Sequence, residues 1–365
     1  MTNPGNRNKR WGFGPAFFFG LITVSPQVLA SYEVFGGFAT TLVSEPESVK
    51  ATLDDWGSEF TSGERQWALA RLEAGVRMDS GFEVSVFSRA LADIRMNEEA
   101  VAFYGKISRK EDLETGQSVP VQVAVNGFTG HGFRLGYLHQ DDQWTVGLGA
   151  SLFRTGHLMT GDLSGQFTAV NDSDYNFDAK VDYAYYRDVI FKRPDVDEAA
   201  GLGFSLDVAM AYKVDENWSW SLRAEDLLAR IRWQDAPFTV ASASTDQKSY
   251  DENGYAVFAP LLSGREGYRD SFMQNLDARY YGAVKYQHNA WSAELRGQYQ
   301  FGYGYAGVGG GYRFANGFAV TGLFWPEYDQ FGIEAKSGNW RGTLVLDQFD
   351  WNEVQAMSVG IAYGY

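Results

Sequence analysis

The side chains of this sequence that could do chemistry do not form compact motifs. Charged residues recur instead at alternate positions. Asp178, Lys180 and Asp182 alternate with Ala179, Val181 and Tyr183, and Asp207 and Lys213 fall opposite Val208 and Tyr212. Further along, Arg223, Glu225, Arg279, Lys285, Glu294, Arg296, Arg313, Glu334, Lys336 and Arg341 occupy the polar positions of similar alternations. Residues two apart on an extended chain share a face. Acids and bases gathered on the inner face of a closed sheet can line a polar pore that selects solutes. The same residues can fill a narrow lumen with cross-strand ion pairs and hydrogen bonds.

Compact catalytic arrangements are missing from the sequence. The four histidines, His131, His139, His157 and His288, lack zinc-ligand spacing with one another. His139 lies near Asp141 and Asp142, the one local pairing suited to histidine–carboxylate chemistry. No Gly-x-Ser-x-Gly elbow or phosphate-binding glycine loop occurs. Asp172, Asp174, Asn176 and Asp178 have the spacing of a calcium loop, but Phe177 and Tyr183 stand where the template needs Gly and Glu. With no Cys, disulfide and thiolate chemistry are excluded. The expectation is a protein that is not an enzyme and has no metal or cofactor. The net charge of -15 is the reverse of a nucleic-acid binder's.

The elements that must position these charges are strands. Leu202, Phe204, Leu206, Val208, Met210 and Tyr212 alternate with polar or small residues. So do Trp144 to Leu152, Tyr175 to Tyr185 and Trp291 to Phe301. A period of two over such lengths marks strands. Several runs exceed the ~5–6 residues usual in soluble sheets and reach the ~9–11 that cross a bilayer. Trp144, Trp218, Trp291, Trp340, Tyr212 and Tyr286 sit at run ends, where an interfacial aromatic girdle belongs. Short turn signals at 140–143, 215–217, 288–289, 315–317 and 337–339 fall on one side if turns alternate. The longer segments 187–200, 235–276 and 347–356 then fall on the other. The pattern predicts an all-β, antiparallel transmembrane barrel of about 14 strands, 12 and 16 being the neighbouring even counts.

The N-terminal third is less regular. Val49, Leu53, Trp56 and Phe60 have helical spacing behind Ser48 as an N-cap, and Leu91, Ile94, Val101 and Ala102 suggest a second short helix before a polar loop at 105–118. Strands are expected at 66–78, 81–88 and 119–126. Residues 31–65 read as a first strand and loop, or as a segment folded into the lumen, ahead of a barrel over 66–365. Residues 1–30 read as a signal peptide: Arg7, Lys9 and Arg10 precede an apolar run from Trp11 to Val24, with a cleavage site near Ala30. Removal of this segment would take the charge from -15 to -18, since it holds those three bases and no acid.

The closing residues Met357 to Tyr365 alternate and end on an aromatic. They resemble the terminal strand that the outer-membrane assembly machinery recognises. The segment GLGFSLDVAMAYKVDENWSWSLRAEDLLARIRW, Gly201 to Trp233, resembles the broad FadL, PorV and TraF group of barrels, and the glycine-rich hairpins from Ala306 to Tyr365 are compatible with it. The Gly-Met-Gly-Gly motif of the PorV and TraF kind and a FadL-type hatch are both missing. The resemblance implies a pore or FadL-like conduit for small molecules in the bacterial outer membrane. The second reading is a non-conducting barrel serving as scaffold or surface component of an envelope assembly. Expected partners are outer-membrane lipid, the assembly machinery and a small-molecule cargo. Mass spectrometry of the secreted chain is predicted to give a mature N-terminus at or next to Ser31. A retained N-terminus would contradict the signal-peptide reading.

Overall fold

The computed structural model describes residues 32–53, 60–245, 248–250, 256–258 and 261–364, so the signal-peptide reading lies outside the described residues. In chain order the elements are β1 Tyr32–Ser44, α1 Val49–Leu53, β2 Arg65–Met78, β3 Phe82–Met96, α2 Glu98–Arg109, β4 Ser118–Gln140 and β5 Trp144–Ala169. Then come β6 Tyr175–Tyr185, β7 Ala200–Lys213, β8 Trp218–Glu225, β9 Arg230–Ser244, β10 Lys248–Tyr250, β11 Ala256–Phe258, β12 Leu261–Asn275 and β13 Arg279–His288. The last are β14 Trp291–Gln300, β15 Tyr303–Arg313, β16 Ala319–Trp325, β17 Gln330–Ser337, β18 Trp340–Leu346 and β19 Ala356–Tyr363.

The sheet closes on itself. β1 pairs antiparallel with β2 on one side and with β19 on the other. The closing strand is the one expected at the C-terminus. The wall begins at Tyr32 rather than at residue 66, because Tyr32–Ser44 takes the strand alternative and leaves no free lumenal segment at this point. Closure removes the edges that would otherwise expose unpaired backbone groups, a condition for crossing hydrocarbon.

Hydrogen bonding runs without interruption from β1 to β5 and from β13 to β19. Between these arcs, three crossings are each made of two strands laid end to end: β6 with β7, β8 with β9, and β12 with β13. Near the short turns the order is β5–β7–β8–β13. Toward the other end it is β5–β6–β9–β12. The main sheet therefore holds 17 strands, more than the about 14 expected for a simple barrel, because these crossings are broken.

The breaks correct two loop assignments. Residues 186–199 link the two strands of one crossing, and Phe191 and Val196 pack on Val181, Tyr183 and Tyr185. Most of 235–276 is β9 and β12, with only 245–260 between the long strands. Residues 347–355 do form a loop. The turns at 79–81, 141–143, 214–217, 289–290, 314–318 and 338–339 share the short-turn end. The opposite end carries the connections at 45–64 and 97–117, and also two tight ones at 170–174 and 301–302.

The first expected helix is present as α1, where Ser48 Oγ accepts from the Ala51 amide at 3.2 Å. The second lies later than expected. Leu91 and Ile94 belong to β3, and α2 ends on Lys110 in a left-handed conformation, so the helix takes residues 105–109 of the polar stretch.

The outer face is apolar. Phe82, Val86, Leu135, Leu148, Leu222, Leu295, Val308 and Ile361 each leave half or more of their surface uncovered. A continuous patch of this kind is suited to lipid and would aggregate in water. Next to the short turns runs an aromatic row: Trp144–Tyr212 (4.3 Å between centroids), Trp218–Tyr286 (4.9 Å), Trp291–Tyr312 (4.8 Å) and Trp340–Tyr363 (5.0 Å). Along β14 a second exposed aromatic, Tyr299, follows Trp291 eight residues later. At ~3.4 Å per residue and a tilt of ~40° this spans about 20 Å, close to the height of a lipid-facing band.

Inward packing is tight where strands carry glycine. A Cβ on Gly203 would lie 2.2 Å from the Phe153 ring, whereas one on Gly310 would meet nothing within 4 Å. Gly203→Val is predicted to lower stability by about 1–3 kcal/mol through overpacking, and Gly310→Ala to leave it nearly unchanged. Guanidinium unfolding in detergent, followed by tryptophan fluorescence, measures both; equal midpoints would contradict the packing.

Candidate functional site: the barrel lumen

The inward faces meet across the lumen in two layers. The layer nearer the long loops is apolar. Val43 of β1, Trp67 of β2, Phe87 and Leu91 of β3, Phe128 of β4, and Phe153 and Leu158 of β5 join Ile231 and Trp233 of β9 in one buried cluster. Trp67 reaches Phe301, in the turn between β14 and β15, at 5.6 Å. Trp233 donates from Nε1 to Gln274 Oε1 at 2.7 Å, and Gln274 donates in turn to Asn126 of β4. Opposite walls are therefore in contact.

The second layer is ionic and centres on Asp226. This residue opens the 226–229 link between β8 and β9, with φ of 58°. The left-handed turn brings its carboxylate to the same side as the preceding Glu225, which strict alternation would not allow. Asp226 is almost completely buried. Arg89 of β3 grips it with two parallel bonds, at 2.8 and 2.7 Å. Arg279 donates from Nη2 at 2.9 Å and Ser205 Oγ at 2.8 Å. Its own amide donates to Asp207 Oδ1 at 3.1 Å. Arg89 also lies over the rings of Phe128 and Phe153, at 5.2 and 5.5 Å, which joins the two layers.

Around this hub the charges alternate in sign. Arg279 contacts Glu225 at 2.9 Å, Arg134 contacts Glu83 at 3.2 Å and Asp207 at 3.7 Å, and Arg77 contacts Glu83 at 2.7 Å. Arg71 pairs with Glu73 at 2.9 Å. Five arginines thus face five carboxylates (Glu73, Glu83, Asp207, Glu225 and Asp226). A buried ion pair is tolerated only when each charge is matched and hydrogen-bonded. In this layer every charge is matched, and Arg279 Nε is a buried donor left without an acceptor.

The residues singled out from sequence divide into three groups. Asp207, Glu225 and Arg279 belong to the hub, and Arg223 stands beside it, 3.2 Å from Glu225 and over the Tyr281 ring. Lys285, Glu294, Arg296, Arg313, Glu334, Lys336 and Arg341 lie on β13, β14, β15, β17 and β18, and Lys213 ends β7 beside the short turns. There Arg296 sits 2.5 Å from Glu294 and 3.2 Å from Glu334. Asp178, Lys180 and Asp182 are not brought to the hub. They are exposed on β6, opposite buried Val181, Tyr183 and Tyr185, in the part of the wall beyond the apolar layer, where Asp182 pairs with Arg269. Their alternation was correctly read, but β6 stops short of the lumen's ionic layer because β7 replaces it there.

Sequence reasoning missed Asp226 and Arg89. Asp226 breaks the alternation, and Arg89 lies in the half of β3 that extends past the expected 81–88. The adjacent pair Glu225-Asp226 before Leu227-Leu228 was the available signal for a break. His139 is 3.7 Å from Asp141 on an exposed turn, away from the lumen layers. Among the described residues no group of three His, Asp or Glu is placed to hold a metal.

No family model and no curated protein matches the chain. Solved structures do. The P. putida toluene transporter TodX is similar at 10% identity and a TM-score of 0.42, covering 92% of this chain and 91% of its own. The Ralstonia pickettii toluene transporter TbuX is similar at 11% identity and a TM-score of 0.31, over 92% and 90%. A Pseudomonas aeruginosa FadL homologue gives 9%, 0.31, and coverage of 92% and 91%.

Asp226→Ala would leave Arg89 and Arg279 buried without their shared anion. Loss of a buried partner costs about 3–5 kcal/mol. Both Asp226→Ala and Arg89→Met should destabilise by that order, and the double variant by clearly less than their sum. Unfolding midpoints of the four proteins measure this; additive losses would contradict a coupled hub.

Proposed function

We propose that the chain is an outer-membrane barrel and a conduit for small molecules, closed at rest by the two lumen layers. The exterior supports the location: a closed wall with an apolar belt and an aromatic row suits a bilayer and no aqueous compartment. The observation that carries the conduit reading is the construction of the closure. Its central carboxylate sits on the 226–229 link, and its partner Arg279 begins β13 just after the 276–278 link. A closure mounted on strand breaks can move without unpairing the wall. Recesses flank it on both sides. A small one lies toward the long loops among Val43, Trp67, Tyr305, Trp325 and Tyr328. Thr41, Gln298, Glu327, Gln330 and Ser358 complete its lining, so aromatic faces and polar groups meet there. A second small recess lies near the short turns.

The second reading, a non-conducting barrel that serves as a scaffold, is favoured by one observation: the apolar layer is packed as a domain core is packed, with Phe87–Phe153 and Phe128–Phe153 centroids at 5.9 and 6.0 Å. Planar-bilayer recording discriminates the two. The conduit reading predicts a mostly closed wild-type protein and at least a tenfold rise in open time for Asp226→Ala combined with Arg89→Ala. If neither protein conducts nor swells liposomes, the scaffold reading stands and the conduit is wrong.

A further inference from the structure

The lumen charges are not matched everywhere. In the half of β13–β18 nearer the short turns, Lys285, Arg296, Arg313, Lys336 and Arg341 face only Glu294 and Glu334. Both carboxylates are taken up by Arg296. Among the described residues, Lys285, Arg313, Lys336 and Arg341 make no ion pair of their own. Five cations against two carboxylates leave an excess of three positive charges, in a chain whose net charge is -15. The cations are also close together. Arg313 and Lys336 both register with Ala319, and Lys336 registers directly with Arg341. Lys336 lies in the repulsive field of Arg341, Arg313 and Lys285, with Glu334 the opposing charge.

Space lies beside them. Lys285 and Arg313 line the small recess near the short turns together with Gln287, Ser292 and Thr321. Gly311 separates the last two: a Cβ there would lie 2.6 Å from Ser292 Oγ and 2.8 Å from Thr321 Oγ1. The glycine keeps the two hydroxyls clear at the floor of the recess. Cations above, hydroxyl and amide donors below, and no carboxylate free to compensate them form a receptor for an oxyanion. In the Asp226 hub each arginine has its acid, so the excess here is not a feature of that layer.

We infer that the short-turn mouth of the lumen is a phosphate-binding site formed by Lys285, Arg313, Lys336 and Arg341 with Ser292 and Thr321. The inference is independent of whether the lumen conducts, because occupancy of the mouth does not require passage through the hub. The phosphate can belong to a free anion or to a phospholipid headgroup at the rim.

Full-length refolded protein in neutral detergent can be titrated with inorganic phosphate by calorimetry, at constant ionic strength in chloride. The expected result is saturable binding of one phosphate per chain. It should weaken at least tenfold in Lys336→Gln/Arg341→Gln and again in Lys285→Gln/Arg313→Gln. It should be unchanged in Lys192→Gln, on the exposed 186–199 link. Heat-modifiable migration verifies that each variant is folded, and two separate pairs keep the test decisive if one fails to refold. Micelles containing phosphatidylglycerol separate the two sources: competition with phosphate assigns the headgroup, and no competition assigns the free anion. Absence of saturable binding, or binding that both double variants retain, would overturn the site and leave only a diffuse counter-ion cloud.

Discussion

A carboxylate buried between two guanidinium groups organises this molecule. Asp226 has almost no contact with solvent, and a lone charge there would be untenable. Arg89 from one wall and Arg279 from the neighbouring crossing make it tolerable. To deliver that carboxylate the chain must leave the β alternation at Asp226, which is why β8 ends there and β9 begins offset. The neighbouring crossings are also interrupted, between β12 and β13 and between β6 and β7. Local backbone geometry and lumen closure thus meet in one pairing.

The remaining architecture meets two solvent conditions at once. Outside, Leu148, Leu222, Leu295 and Val308 present hydrocarbon to hydrocarbon. Inside, the same strands turn alternate residues to each other, and the barrel is narrow enough that these side chains touch. The interior is therefore a core, apolar above and ionic below. At the short-turn mouth, unlike in the hub, charge exceeds its partners.

Much of this was legible in the sequence. Alternation with aromatic run ends, as in Trp291 to Tyr299, is a short-range signal that needs no tertiary knowledge, and it identified the barrel, the outward face and the closing strand from Met357. Most of the charged lumen residues followed from the same parity. What failed did so for physical reasons. Strand breaks at Asp226 and at 276–278 depend on a partner arginine distant in sequence, so no local pattern marks them. Residues 186–199 look like an outer loop because they are polar, yet they cover Tyr183 and Tyr185 within the wall. The apolar lumen layer was invisible because Phe87, Phe128 and Phe153 read as ordinary strand residues until the register placed them opposite one another.

The central claim, that the lumen is divided by its own side chains, can be tested directly because the chain has no cysteine. Single variants Ser358→Cys, toward the long loops, and Ser292→Cys, toward the short turns, report from either side of the closure. On intact cells a membrane-impermeant thiol reagent should label Ser358→Cys and leave Ser292→Cys unlabelled until the cells are opened. Equal labelling of both from outside would contradict the account.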